Sequence, residues 1–119
     1  MDRPRSCKKV IDSVKLLQYN VHMEQLRFAW DPVKDSSNVR DHGISFEEAQ
    51  TVFQDEYARL RDDPDHSEDE DRFLLLGMSR YSQLLVVCHC YRESETVIRI
   101  ISARKATRHE RRQYEGFRQ

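Results

Sequence analysis

The side chains of this chain best suited to chemistry on an anion are Arg72, Arg80, Arg99 and Arg104. They lie in residues 72–119, which carry a net charge of +6, whereas residues 28–71 carry −10 and residues 1–27 carry +3. Charge separated in this way suits an encounter between the last third and a polyanion or an acidic partner, or two segments that pack together and neutralise each other. A guanidinium stays charged and offers a planar fork of donors, so a fixed arginine stabilises negative charge developing on a phosphate. His66 lies among Asp65, Glu68 and Asp69, carboxylates that favour the protonated imidazole if close, as a general acid requires. The competing reading of His66 is a solvated loop residue or a partner contact.

Position ranks these candidates. Arg104 falls where a strand hands over to the final helix, a place stiffened on both sides; the alternative is a salt bridge to the acidic stretch 62–71. Arg72 opens a strand beside that stretch, where a surface pair with Glu70 or Asp71 competes with phosphate binding. Arg80 opens a turn and is otherwise a solvated turn residue. Arg99 alternates with Ile98 and Ile100 and therefore leaves the core face. Lys34, in the first turn of a helix, fits phosphate or solvent. Arg108, Arg111 and Arg112, with Arg118, form a basic helix face suited to a polyanion, to an acidic partner segment or simply to solvent. His42 closes the first helix, His89 reads as a core or sheet-face residue, and Trp30 as a core anchor. Glu110 and Tyr114, four apart, share one helix face, with Tyr114 favoured for packing.

The elements that must position these residues are legible from residue 27 onward. Residues 27–30 read as a strand. Asp31 and Pro32 start a helix that runs to His42 and stops at Gly43. Ser45 and Glu48 form a capping box for a second helix over 46–54, completing a helical hairpin. Strands are expected over 57–61, 72–78, 84–91 and 96–102, the last three joined by hairpin-length links. Thr107 caps a final helix reaching about residue 117. The order predicts an α+β domain: an antiparallel sheet of about four to five strands with the helices packed on one face.

At 119 residues, 34% charged and 38% hydrophobic, the chain is expected to be one cytoplasmic domain with a polar surface. No apolar run approaches the roughly 20 residues that span a bilayer, and no secretory signal is visible. Residues 1–22 read as an N-terminal extension, helical or disordered, and residues 23–119 as the domain. Three cysteines, Cys7, Cys88 and Cys90, make a poor disulfide framework, and the last two read as small buried residues on one sheet face. No metal site or cofactor is expected.

Three stretches resemble the BrnT toxins. They are Phe28-Ala29-Trp30-Asp31-Pro32-Val33-Lys34 with Asn38 and Asp41-His42-Gly43-Ile44-Ser45-Phe46-Glu47-Glu48-Ala49; Asp62-Asp63-Pro64-Asp65-His66-Ser67 with Arg72-Phe73 and Gly77; and Ile98-Arg99-Ile100-Ile101-Ser102-Ala103-Arg104-Lys105-Ala106-Thr107 with Glu110-Arg111 and Tyr114-Glu115. The resemblance implies a RelE-like fold and a metal-independent endoribonuclease that halts translation as the toxin of a type II toxin–antitoxin system. It implies a BrnA-like ribbon-helix-helix antitoxin as partner, RNA as substrate, and contact with DNA through the antitoxin alone. Metal-free RNA cleavage needs a base for the 2′-hydroxyl, an acid for the 5′-oxygen and cations for the phosphate. Arg104, Arg72, His66 and Arg80 are then the catalytic candidates, with Lys34, Arg99, Arg108, Arg111 and Arg112 for RNA binding. The competing expectation is a non-catalytic module that binds an antitoxin-like partner in operon autoregulation. The long N-terminal extension and the strongly acidic 62–71 stretch depart from the family pattern.

Overall fold

Asp31 accepts a hydrogen bond from the Val33 amide at 2.9 Å, Pro32 follows at the first helical position, and Gly43 closes the helix in the left-handed region at φ 72°. These local features delimit α1, Pro32–His42, as their chemistry predicts. Ser45 then caps α2, Phe46–Gln50, through the Glu48 amide, and Asp35 of α1 accepts from the Phe46 amide at 2.8 Å. The expected second helix tightens into a 3₁₀ turn, Thr51–Gln54. The capping box is one-sided. The Glu48 carboxylate accepts from Ser79 Oγ and Gln83 Nε2 at 2.7 and 2.8 Å, fastening the turn over 79–83 to α2.

The computed structural model describes residues 27–63, 71–92 and 96–118. The expected extension over 1–22 and the His66 loop lie outside them. Five strands form one sheet: β1 Arg27–Ala29, β2 Arg59–Asp62, β3 Phe73–Met78, β4 Leu84–Arg92 and β5 Val97–Lys105, in the order β1-β5-β4-β3-β2. α3, Arg108–Arg118, follows. β2 to β5 pair antiparallel, as expected, but β1 lies parallel to β5, so the sheet is mixed. β5 runs three residues beyond the expected end, to Lys105.

One sheet face packs on the helical hairpin. Ile44, Phe46, Ala49, Val52 and Phe53 meet Leu75, Leu85, Val87, Ile98, Ile100 and Ala103 there. Phe53 stacks edge-on with Phe28 and His89, and Trp30 edge-on with Phe46, as its reading as a core anchor predicts. A Cβ on Gly77 would lie 2.9 Å from Val52 Cγ1 and 3.0 Å from Ala58 Cβ, so glycine lets the 3₁₀ turn approach β3. β1 stops opposite Arg99. Beyond it Asn38 of α1 takes the place of a neighbouring strand: it donates to the Ala103 carbonyl at 2.8 Å and accepts from the Ala103 amide at 3.1 Å.

The expectation that all helices share one face is corrected. Leu60, Leu75 and Ala103 face the hairpin core, so Arg61, Leu74 and Arg104 point the other way. Both arginines bond Glu110 of α3, which places α3 on that second face. The reason is in β4, where every residue from Leu84 to Cys90 is buried. A strand apolar on both sides requires cover on both sides.

Candidate functional site

Cross-strand pairing gathers arginines on the α3 face. One row runs Arg59, Leu76, Val86, Arg104, and the next runs Arg61, Leu74, Cys88, Ser102. In a third row Arg99 pairs with Cys90. Arg72, one residue before the Phe73 that pairs with His89, falls opposite Cys90, and its carbonyl accepts from the Asp63 amide. An apolar middle of Leu74, Leu76, Val86 and the two cysteines is thus flanked by arginines on β2 and β5.

Arg99 and Arg104 are five residues apart, and simple alternation would send them to opposite faces. The register shifts between Cys88 and His89: Ser102 pairs with Cys88 but Ile100 with His89. Ile101 is the extra residue of a β-bulge. The bulge keeps Ile100 and Ala103 both in the core and turns Arg99 and Arg104 both outward. Arg99 is half-buried, and its side chain has no hydrogen-bond or ion-pair partner among the described residues.

Arg104 is held at the β5–α3 seam. Its Nη1 and Nη2 donate to the two Glu110 carboxylate oxygens at 2.9 and 3.0 Å, and Nη1 also reaches the Lys105 carbonyl. Glu110 accepts in addition from the Thr107 amide at 2.8 Å, while its own amide donates to Thr107 Oγ1 at 3.1 Å, a complete capping box. Arg61 Nη2 donates to the same carboxylate at 3.3 Å. The Glu110 side chain is 8% exposed, against 40% for the Arg104 side chain and 54% for that of Arg61. The hydrogen bonds from Arg104, then those from Thr107, pull the Glu110 pKa down to about 2 against the cost of burial. Its carboxylate in turn raises the pKa of Arg104. Arg104 thus bridges α3, and most of the acidic stretch named in its alternative reading lies outside the described residues.

The other candidates are dispersed. Arg80 is exposed in the β3–β4 turn, its guanidinium 6.0 Å from the Tyr81 ring centre. That turn is at the opposite end of the sheet from Arg72 and Arg99. Lys34 is exposed in the first turn of α1, which runs along the edge of β5, and Arg108, Arg111 and Arg112 are exposed on α3. His42 ends α1 and is exposed. His89 is fully buried, and its Nδ1 lies 3.1 Å from the Val87 carbonyl and its Nε2 3.1 Å from the Tyr91 hydroxyl. A carbonyl can only accept, so the neutral ring carries its proton on Nδ1 and accepts from Tyr91. Burial lowers its pKa to about 4. Tyr114 packs, 2% exposed, with its hydroxyl on Asp55 at 2.6 Å. Burial, then the nearby Asp63, pushes the Cys88 thiol up to about 12 and leaves it a poor nucleophile.

Arg61 and Glu110 were not selected from the sequence as site residues. The available signals were the alternation Arg59-Leu60-Arg61 and the spacing Thr107-x-x-Glu110, which turns the glutamate back toward the end of β5. Among the described residues no three His, Cys, Asp or Glu side chains gather to hold a metal, and no helix is long and apolar enough to cross a membrane.

Residues 30–110 match the model of a family described as the ribonuclease toxin BrnT of type II toxin–antitoxin systems. The fold is similar to the crystal structure of the Brucella abortus ribonuclease toxin BrnT, with a TM-score of 0.54 and 21% identity over 70% of this chain and 99% of that chain. No curated protein matches.

Proposed function

Because the chain belongs to the BrnT family of type II toxin–antitoxin toxins, we propose that it is a metal-independent endoribonuclease that cuts RNA on the arginine-bearing face of its sheet and so halts translation. In this reading the RNA 2′-oxygen attacks the adjacent phosphorus as its proton passes to a base. The bond from phosphorus to the 5′-oxygen breaks, and that oxygen takes a proton. A 2′,3′-cyclic phosphate and a 5′-hydroxyl end result. Arg104, with Arg72 and Arg99, stabilises the extra charge on phosphorus. His66 is the proposed acid, Arg80 a further catalytic candidate, and Lys34, Arg108, Arg111 and Arg112 contact the RNA backbone. A BrnA-like ribbon-helix-helix antitoxin neutralises the toxin and carries the pair to DNA.

The observation that carries this reading is the fixed Arg104 guanidinium. Two of its nitrogens are locked to Glu110, while its Nε–H has no partner among the described residues. Such a donor is held in place before substrate arrives. The test is expression with and without the antitoxin, followed by end-mapping of cellular RNA. Growth arrest with new 5′-hydroxyl ends, lost in folded Arg104→Ala, supports the reading. Intact RNA in cells that accumulate folded protein refutes it. The same Arg104–Glu110 pair also suits a non-catalytic module in which it merely ties α3 to the sheet. That alternative predicts tight antitoxin binding with no RNA cleavage.

A further inference from the structure

Two arginines from strands on either side of the sheet's apolar middle converge on one carboxylate. Arg104 comes from β5 and Arg61 from β2, with Cys88, Val86, Leu74 and Leu76 of β4 and β3 between them. Like charges do not converge unless something between them holds an opposite charge. Glu110 supplies it, and its position is set independently by the Thr107 amide at 2.8 Å. Resting on the RNA-binding reading of this face, we infer that Arg61 is a second guanidinium of the phosphate site, and that Glu110 is a positioning residue presenting Arg61 and Arg104 together to one phosphodiester.

Three observations carry this. The first is order from inside to outside: the carboxylate side chain is 8% exposed, Arg104 40% and Arg61 54%. The anion lies at the bottom and both cations turn part of their surface to solvent. The second is charge. Two guanidiniums and one carboxylate leave +1, the complement of a single phosphodiester. The third is donor use. Arg61 spends Nη2 on Glu110, at 3.3 Å, and its Nε and Nη1 have no partner among the described residues. If α3 needed only a tie to the sheet, Arg104 alone would supply it, because a long, half-exposed pair such as Arg61–Glu110 adds little stability.

The inference is tested with a 2′-O-methylated RNA oligonucleotide, which binds but lacks the attacking hydroxyl. Arg61→Ala is expected to weaken its binding about tenfold and to lower the slope of log Kd against log salt by about one. Arg40→Ala, which removes an exposed charge from α1, is expected to leave the slope unchanged. Glu110→Gln retains the capping box and removes the anion beneath the two cations. Its expected signature is binding as tight as, or tighter than, that of the unaltered protein, with kcat on cleavable RNA reduced at least about tenfold and KM not raised. A slope in folded Arg61→Ala equal to that of the unaltered protein, or an equal loss in Arg40→Ala, overturns the role of Arg61. A Glu110→Gln variant with lower melting temperature and unchanged kcat makes Glu110 a structural tie alone. The two readings fail separately. If the unaltered protein cuts no RNA but Arg61→Ala still changes the salt slope, the ribonuclease reading falls and the anion clamp stands.

Discussion

The two faces of the sheet are built from the same strands and do opposite things with charge. On the hairpin face the titratable group His89 is sealed among Phe53, Phe73 and Tyr91 and kept neutral. On the α3 face Arg104 and Glu110 are both held ionised and hydrogen-bonded to each other. A buried polar group is tolerated either by losing its charge with its hydrogen bonds satisfied or by pairing. The first solution yields a closed core. The second leaves charged side chains at the surface, where a ligand can reach them.

The comparison can be broken from the core side first. Phe53→Ala removes a ring 2% exposed and is expected to cost about 3–5 kcal/mol in urea unfolding. A cost under ~1 kcal/mol would mean that this face is not the principal core. On the other face, Arg104→Ala is expected to lower single-turnover RNA cleavage by about 10²–10³-fold, with circular dichroism unchanged. Equal cleavage by the two proteins would remove Arg104 from the chemistry.

Acid sharpens the contrast, because the faces titrate in different windows. His89 has its pKa lowered from 6.5 to about 4, so the fold prefers the neutral ring. Its contribution is complete above pH 6.5 and is lost as the pH falls toward 4, on the order of 3 kcal/mol. Glu110 has its pKa lowered from 4.5 to about 2, so its contribution is present above 4.5 and disappears as the pH falls toward 2. Urea midpoints against pH should therefore lose the upper limb in His89→Leu and the lower limb in Glu110→Gln. One limb responding to both variants would show that the faces are not independent. The smallest expected effect is Gly77→Ala, where the new methyl meets Val52 and Ala58 and should cost about 1–3 kcal/mol, read as a shift in thermal midpoint.

Much of the fold is legible in local chemistry. Asp31-Pro32, Gly43, Ser45 and Thr107 mark helix ends through bonds made within a few residues, and each acts there as its type predicts. The unbroken apolar run of β4 already carried the news that both sheet faces are covered, although alternation on the other strands suggested one. Arg104 stood out because of its place at a strand–helix junction. Its partner is only hinted at by the spacing Thr107-x-x-Glu110, and it is the turn of the chain between β5 and α3 that brings the two side chains together. Arg61 was missed for the same reason, since its contact with Glu110 spans 49 residues.

By itself, the sequence determined the element order, the caps and the excess of arginine in the last third, because each is a matter of residue type and short spacing. Tertiary structure decided which arginines meet. It laid β1 parallel against β5, sent α3 across the second face, and placed at Ile101 the bulge that turns Arg99 and Arg104 the same way. Strand partners and register are set by which long-range burial is most favourable, and no residue carries that information within its own neighbourhood.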